Sequence, residues 1–384
     1  MKPRLMRRIR GGKTSLVSAP RNLQSGQSMV LVALMMIVFI AMLAVILDGG
    51  HAFLQRRNAQ TAADAGAMAG ARELCLTGNT VLATQAAVDY AITRNRALEA
   101  DIVILGGEVE VTTRIPFSTF FGSILGRPTI TSSAIAAANC FAPGNGVGVL
   151  PVAWNCDDDD GDGSCDFQIF DEVGEPTLPD LYIIMNSRKT GDETEDAFCL
   201  PEGTVDCDVD GDGENELLVG GNRSWLDLSG GGGGASELID WIENGYSSGV
   251  YIHTWYAGQS GVANSVFMAV QDYVLGKRVL LPVYNAISDG APTLPYDGGP
   301  DSIVWTSGTS TTYYHVMSFS IFVPTCVHAT GGDKDCDMYN YFRGIGGLGP
   351  DDKTVEGYFV NGSMGGLGGK GELDAGAFTL YLTR

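Results

Sequence analysis

Met29–Leu47 reads MVLVALMMIVFIAMLAVIL, 19 residues without a charge or a strongly hydrogen-bonding side chain. At about 1.5 Å of helical rise per residue it reaches roughly 28 Å, close to the ~30 Å hydrocarbon thickness of a bilayer. Twelve of these positions are Leu, Ile, Val or Phe. Each favours insertion by a few tenths of a kcal/mol, so the segment is predicted to span a membrane. Upstream lie Lys2, Arg4, Arg7, Arg8, Arg10, Lys13 and Arg21 with no acidic residue, and the first carboxylate of the chain is Asp48, just after the span. Cations flanking a span stay on the cytoplasmic side. The expectation is a single-pass protein of the inner or plasma membrane, its short N-terminal tail cytoplasmic and its C-terminal part extracytoplasmic. A cleaved secretory signal is the competing reading, but the run exceeds the usual apolar core of such signals and LDGGHA is a poor small-residue cleavage site.

The whole chain of 384 residues carries a net charge of −21. Without the seven cations of the tail, 17 basic residues face 45 acidic ones, a charge of −28 on the exported part. A phosphate backbone needs a basic surface, so no nucleic-acid partner is expected. All eight cysteines, Cys75, Cys140, Cys156, Cys165, Cys199, Cys207, Cys326 and Cys336, follow the span. An even number in an oxidising compartment points to disulfides. Nearest-neighbour spacing gives Cys156–Cys165, Cys199–Cys207 and Cys326–Cys336, leaving Cys75 with Cys140. Paired CxxC spacings for zinc do not occur.

The residues after the span, DGGHAFLQRRNAQTAADAGAMAGARELC, read as a continuation of the same helix, interrupted only by Gly49 and Gly50. Positions 59, 62, 63, 66, 67, 70 and 71 are all Ala or Gly, a ridge of small side chains that lets another helix approach closely. The alternative is an exposed stalk in which alanine is only a good helix former. Gly66 and Gly70 weigh toward packing, because each weakens an exposed helix by about 1 kcal/mol.

Gly26 to Ala71 resembles the N-terminal domain of TadE/TadG-like Flp pilus-assembly proteins. A Gly before the span, Asp48 at its end, the basic pair Arg56 and Arg57, and the run NAQTAADAGAMA from Asn58 to Ala69 occur together and in order. The resemblance implies a bitopic component of the tight-adherence (type IVc) pilus machinery, with other pilus-assembly or pilin-like proteins as partners through the Ala/Gly ridge. One departure is that pilin-like substrates of the prepilin peptidase carry Glu at the fifth position after the cleaved Gly, where this chain has Leu31.

Thr80 to Leu98 reads as a second helix. DIVIL, two glycines and EVEVTTRI read as a hairpin, and PTITSSAIAAANC as a further strand ending at Cys140. The fold class expected is α+β: a basic tail (1–27), a transmembrane and extended helix (28–75), a small membrane-proximal α/β layer (76–140), and a mainly β, sandwich-like ectodomain (141–384). In the last part KRVLLPVYNA and TYYHVMSFSIFVP read as central strands, SELIDWIENG as a helix capped by Ser236, residues 331–371 as glycine-rich loop, and AFTLYLTR as a closing strand.

Two acidic stretches repeat after the FAPGNGVG linker. CDDDDGDGSCDF supplies Asp158, Asp160, Asp162 and Asp166, and CDVDGDGENEL supplies Asp208, Asp210, Asp212 and Glu216. Carboxylates at the first, third, fifth and ninth positions, with Gly at the fourth and sixth, suit a loop folding around a hard, oxygen-seeking cation. Ca²⁺ is therefore the expected structural ion. The bidentate Glu usual at the twelfth position is replaced by Ile169 and Val219. The competing reading is a metal-free acidic turn.

Of the four histidines, His51, His253, His315 and His328, neither His51 nor His315 neighbours a nucleophile motif, and GxSxG, HExxH and Walker loops are absent from the sequence. The competing reading is a triad assembled in space from Ser, Asp and His253. No enzyme is expected. Two classes of function remain, a non-enzymatic structural component of pilus assembly or minor pilin-like protein, and a freestanding surface adhesin or ligand-binding module on the same anchor.

Overall fold

The computed structural model describes residues 27–155, 165, 168–187, 225–230, 234–259, 263–289, 312–333, 335–363 and 375–384. Two compact units are formed. The first comprises residues 1–57 with 115–132, the second residues 58–114 with 133–384. As the alternation of apolar helix and strand signals leads one to expect, the fold is α+β.

The chain begins with the single helix α1 (Gln27–Thr77), uninterrupted at Gly49 and Gly50. It ends where Gly78 adopts φ +62, a left-handed conformation that glycine reaches without a Cβ penalty. Asn79 then caps α2 (Thr80–Val88), its Oδ1 accepting the N–H groups of Val81 and Leu82 at 2.9 and 3.3 Å. A π-helical segment, Asp89–Arg94, extends α2.

Within the second unit the Ala/Gly ridge is filled. Ala59, Ala62, Ala63, Ala67 and Ala71 are fully buried. A Cβ added to Gly66 would lie 3.0 Å from the Ala87 carbonyl, and one added to Gly70 would lie 2.9 Å from Val109 and 3.0 Å from Ala87. The packing reading of the ridge holds, with one correction. The close partner is this chain's own α2 and first sheet, so the ridge is not the surface available to other pilus-assembly proteins.

Strands β1 (Glu99–Leu105) and β2 (Glu108–Ser118) form the expected hairpin. Gly106 and Gly107 both have positive φ, as a two-residue turn matched to strand twist requires. Strand β3 (Thr129–Phe141) lies beside β2. The strands that follow are short: β4 (Asn145–Gly146), β5 (Trp154–Asn155), β6 (Tyr182–Asn186) and β7 (Leu226–Asp227). Next come α3 (Ala235–Asn244), β8 (Val250–Tyr251), β9 (Thr254–Gly258), α4 (Asn264–Ala269), β10 (Val279–Asp289), β11 (Thr312–His328), α5 (Asp337–Gly344), β12 (Thr354–Val360), β13 (Gly362–Ser363) and β14 (Ala377–Leu382).

A seven-stranded sheet is ordered β5-β10-β11-β12-β6, with β9 also on β11 and β7 on β9. The two long apolar runs are indeed central: β11 pairs antiparallel with β10 on one side and with β12 and β9 on the other. Pro324, which has no N–H to give a ladder, sits at a register shift against β12. Helices α3 and α4 bring Leu238, Trp241, Ile242, Val266 and Phe267 onto one core with Trp225, Phe319, Phe322 and Phe359. A second cluster holds Ile183 and Leu181 against Met338, Tyr339 and Phe342 of α5.

Two local expectations are corrected. Residues 331–371 are not all loop, for α5 and β12 form within them. Their apolar positions (Met338, Tyr339 and Phe342; Val355, Phe359 and Val360) are buried, which outweighs the surrounding glycines. Ser236 is inside α3 rather than at its cap, since Gly234 takes the N-cap position with extended backbone. The closing strand β14 pairs antiparallel with β3, Leu382 opposite Ala138, so the end of the chain completes the sheet of β1, β2 and β3.

Candidate functional site

Within the first unit, α1 presents its apolar face all round. Every residue from Ser28 to Leu47 is exposed except Ala44, which is half-buried. A helix apolar on every side is stable only in an apolar surrounding, and this one is long and apolar enough to cross a membrane.

Just past that stretch Asp48 is tied to the loop between β2 and β3. Its carboxylate accepts three backbone N–H groups, from Phe120 at 2.7 Å, Phe121 at 3.0 Å and Gly122 at 2.8 Å. One turn further along, His51 meets the Phe117 ring edge-on at 4.9 Å and the Phe120 ring at 5.9 Å, and shares a 3.1 Å hydrogen bond with Gln55. Three converging amides suit an ionised carboxylate, because each bond is charge-assisted. The sequence marks Asp48 as the residue at the end of the span but gives no hint of its partners, which lie more than 70 residues away. Within the loop Gly122 is tightly packed: a Cβ there would fall 2.5 Å from Thr119 Oγ1 and 3.0 Å from the Arg127 carbonyl.

In the second unit, Cys326–Cys336 ties β11 to the start of α5, as nearest-neighbour spacing predicts, and Cys75–Cys140, the pair that spacing leaves over, ties the end of α1 to β3. Cys165 is disulfide-bonded as well, and no described cysteine is free. Cys156, Cys199 and Cys207 lie outside the described residues. So do the eight acidic residues expected to hold Ca²⁺: Asp158, Asp160, Asp162, Asp166, Asp208, Asp210, Asp212 and Glu216. Ile169, at the end of the first acidic stretch, forms a bridge with Phe359.

Cys326, Cys336 and Glu356 come within 4.8 Å of one another, but the disulfide leaves no thiolate to bind a metal. Glu356 instead caps α5, its two oxygens accepting the N–H groups of Asp337 and Tyr339 at 2.9 and 3.1 Å. Burial outweighs these bonds and pushes its pKa up to about 7. This buried carboxylate went unnoticed in the sequence, where it sits in a glycine-rich stretch. Opposite in sign is His315, buried in β11 with Nδ1 2.8 Å from Asn285 Oδ1. Burial first, and then the neighbouring His253, lower its pKa to about 4. His328 stacks on Tyr339 with ring centroids 3.6 Å apart. His51, His315 and His328 are thus all engaged in ring or hydrogen-bond contacts.

Residues 26–73 match a family model described as "Putative Flp pilus-assembly TadE/G-like". No curated protein and no solved structure matches the chain. The matched segment covers 48 of the 384 residues and coincides with α1, including Asp48, the basic pair and the small-residue ridge. Residues 26–73 of this chain are therefore similar to the TadE/G-like domain of Flp pilus assembly.

Proposed function

We propose that the chain is a single-pass, non-enzymatic structural component of Flp (tight-adherence) pilus assembly, held in the inner or plasma membrane by Met29–Leu47. The observation that carries this reading is the TadE/G-like match lying on a helix whose apolar stretch is exposed on every side. The seven cations before the span support a cytoplasmic N-terminus, and the paired cysteines support an oxidising compartment for the rest. Other membrane-embedded pilus-assembly proteins are the partners, met through the apolar span rather than through the Ala/Gly ridge. Cysteine labelling of intact cells tests the topology: a cysteine at exposed Val173 reacts with an impermeant reagent and one at Ser15 does not. The reverse pattern contradicts the reading.

The repeated acidic stretches support a structural role for Ca²⁺ held by Asp158, Asp160, Asp162 and Asp166, and by Asp208, Asp210, Asp212 and Glu216. At ten times Kd each site would add about 1.4 kcal/mol. The full chain then melts higher in millimolar Ca²⁺ than in chelator, and Asp160→Ala with Asp210→Ala removes the difference. Equal melting of the wild type under both conditions makes these stretches metal-free acidic turns.

A further inference from the structure

We propose that the loop between β2 and β3 is a second membrane contact, its apolar tip inserted into the leaflet at the C-terminal end of the span with lipid acyl chains as its ligand. The inference rests on the membrane span proposed above and concerns only the first unit.

Three side chains at the tip are largely exposed. Phe120 is 66%, Ile124 78% and Leu125 85% exposed, an apolar cluster that a water-facing loop rarely carries without a binding role. The Asp48 hydrogen bonds fix where it sits. Phe117 lies beside His51, and Phe120 to Gly122 lie on Asp48, so the chain descends along α1 toward the apolar stretch as it approaches the tip. Ala44, a turn below Asp48, is the one half-buried residue of the apolar stretch. Phe53 and Leu54, 69% and 57% exposed on α1 just beyond Asp48, add further apolar surface past the end of the span.

Backbone N–H groups must be satisfied before a loop can enter hydrocarbon. Those of Phe120, Phe121 and Gly122 are bound by Asp48. Those of Ile124, Gly126 and Arg127 bond to the carbonyls of Phe121, Ser123 and Gly122. The loop is closed at its neck, where Thr119 donates its N–H to Pro128 O at 3.0 Å and its hydroxyl to Arg127 O at 2.6 Å. Charge fits as well. From Ile115 to Ser132 the only charged residue is Arg127, a cation placed to meet lipid phosphate, in a chain that is otherwise strongly acidic. A lipid leaflet accounts for the apolar tip, the lone cation and the continuity with the span together.

The test uses the full chain reconstituted in phosphatidylcholine vesicles, spin-labelled at Leu125→Cys or, as a reference in the span, at Phe39→Cys. Both sites are exposed, so neither label disturbs a core. Both labels should collide more often with oxygen than with a water-soluble nickel chelate, Leu125 reporting the shallower depth. If Phe39 favours oxygen while Leu125 favours the chelate, the loop lies in water and the inference fails although the span stands. If Phe39 also favours the chelate, the span itself is lost. Dipolar broadening at Leu125 that vanishes on dilution with unlabelled chain would assign the tip to a second copy and overturn the lipid assignment.

Discussion

Two cores in this molecule are built on opposite principles. Between α1, α2 and the first sheet the buried side chains are mostly alanine, among them Ala59, Ala63, Ala67, Ala83, Ala87 and Ala91, with two glycines where backbones nearly touch. Around β11 the buried residues are large and ringed: Trp225, Tyr182, Phe267, Phe319, Phe322 and Phe359. The first core gains its stability from close approach, the second from apolar area. Adding atoms should therefore damage the first, and removing them should damage the second.

The largest effect is expected in the aromatic core. Phe359, fully buried, in edge contact with Tyr182 and Phe322 and packed at a tilt on Trp154, should cost about 3–5 kcal/mol when replaced by Ala. Denaturant unfolding of the purified chain checks this, and a loss below 1 kcal/mol would mean the site collapses around the cavity. The alanine core relies more on its covalent tie. Cys75–Cys140 closes a loop of 65 residues, against 10 for Cys326–Cys336, so chain entropy assigns about 4 kcal/mol to the first and about 3 to the second. Replacing each pair by Ser should reproduce that order in the denaturation midpoints.

Proton linkage gives the next effect, with two opposed slopes inside the second unit. Glu356 has its folded pKa raised from 4.5 to about 7, so the folded state holds a proton that the unfolded state has released. Its contribution is present below pH 4.5 and is lost as pH rises to 7, by about 3 kcal/mol. His315 has its folded pKa lowered from 6.5 to about 4. Its contribution is present above pH 6.5 and is lost by a similar amount, about 3 kcal/mol, as pH falls to 4. Between pH 4.5 and 6.5 the two cancel. Glu356→Gln should therefore uncover a stability that rises with pH in that window, and His315→Gln one that falls. Parallel pH profiles for wild type and both variants would refute the assignment.

The smallest effect is a change of sign along α1. Gly70→Ala puts a methyl 2.9 Å from Val109 and 3.2 Å from the Ala83 carbonyl, an overpacking cost of about 1–3 kcal/mol that exceeds the ~1 kcal/mol gained in helix propensity. Gly50→Ala meets nothing within 4 Å and should leave thermal stability unchanged or slightly higher. No loss at either glycine would place the ridge in open space.

What the sequence made legible follows from range. The long apolar helix and its continuation, the β1–β2 hairpin and the central pair β10 and β11 are local patterns of hydrophobic period and turn chemistry, and they appear where expected. The small residues at 66 and 70 announced close packing, but only the fold showed that α2 and Val109 fill the space. Glycine content hid α5, β12 and the Glu356 cap, because burial of Met338, Phe342 and Phe359 decides those elements and composition does not report burial. Asp48 was visible as a residue, while its three amide partners depend on how residues 120–122 return to the helix.

The proposed role in pilus assembly is tested most directly by electron microscopy of cells in which the chain has been deleted. The account predicts that surface filaments are lost or strongly reduced, and that the full chain supplied in trans restores them. Filaments of unchanged number and length in the deletion strain would contradict it, leaving a TadE/G-like anchor that carries an independent surface module.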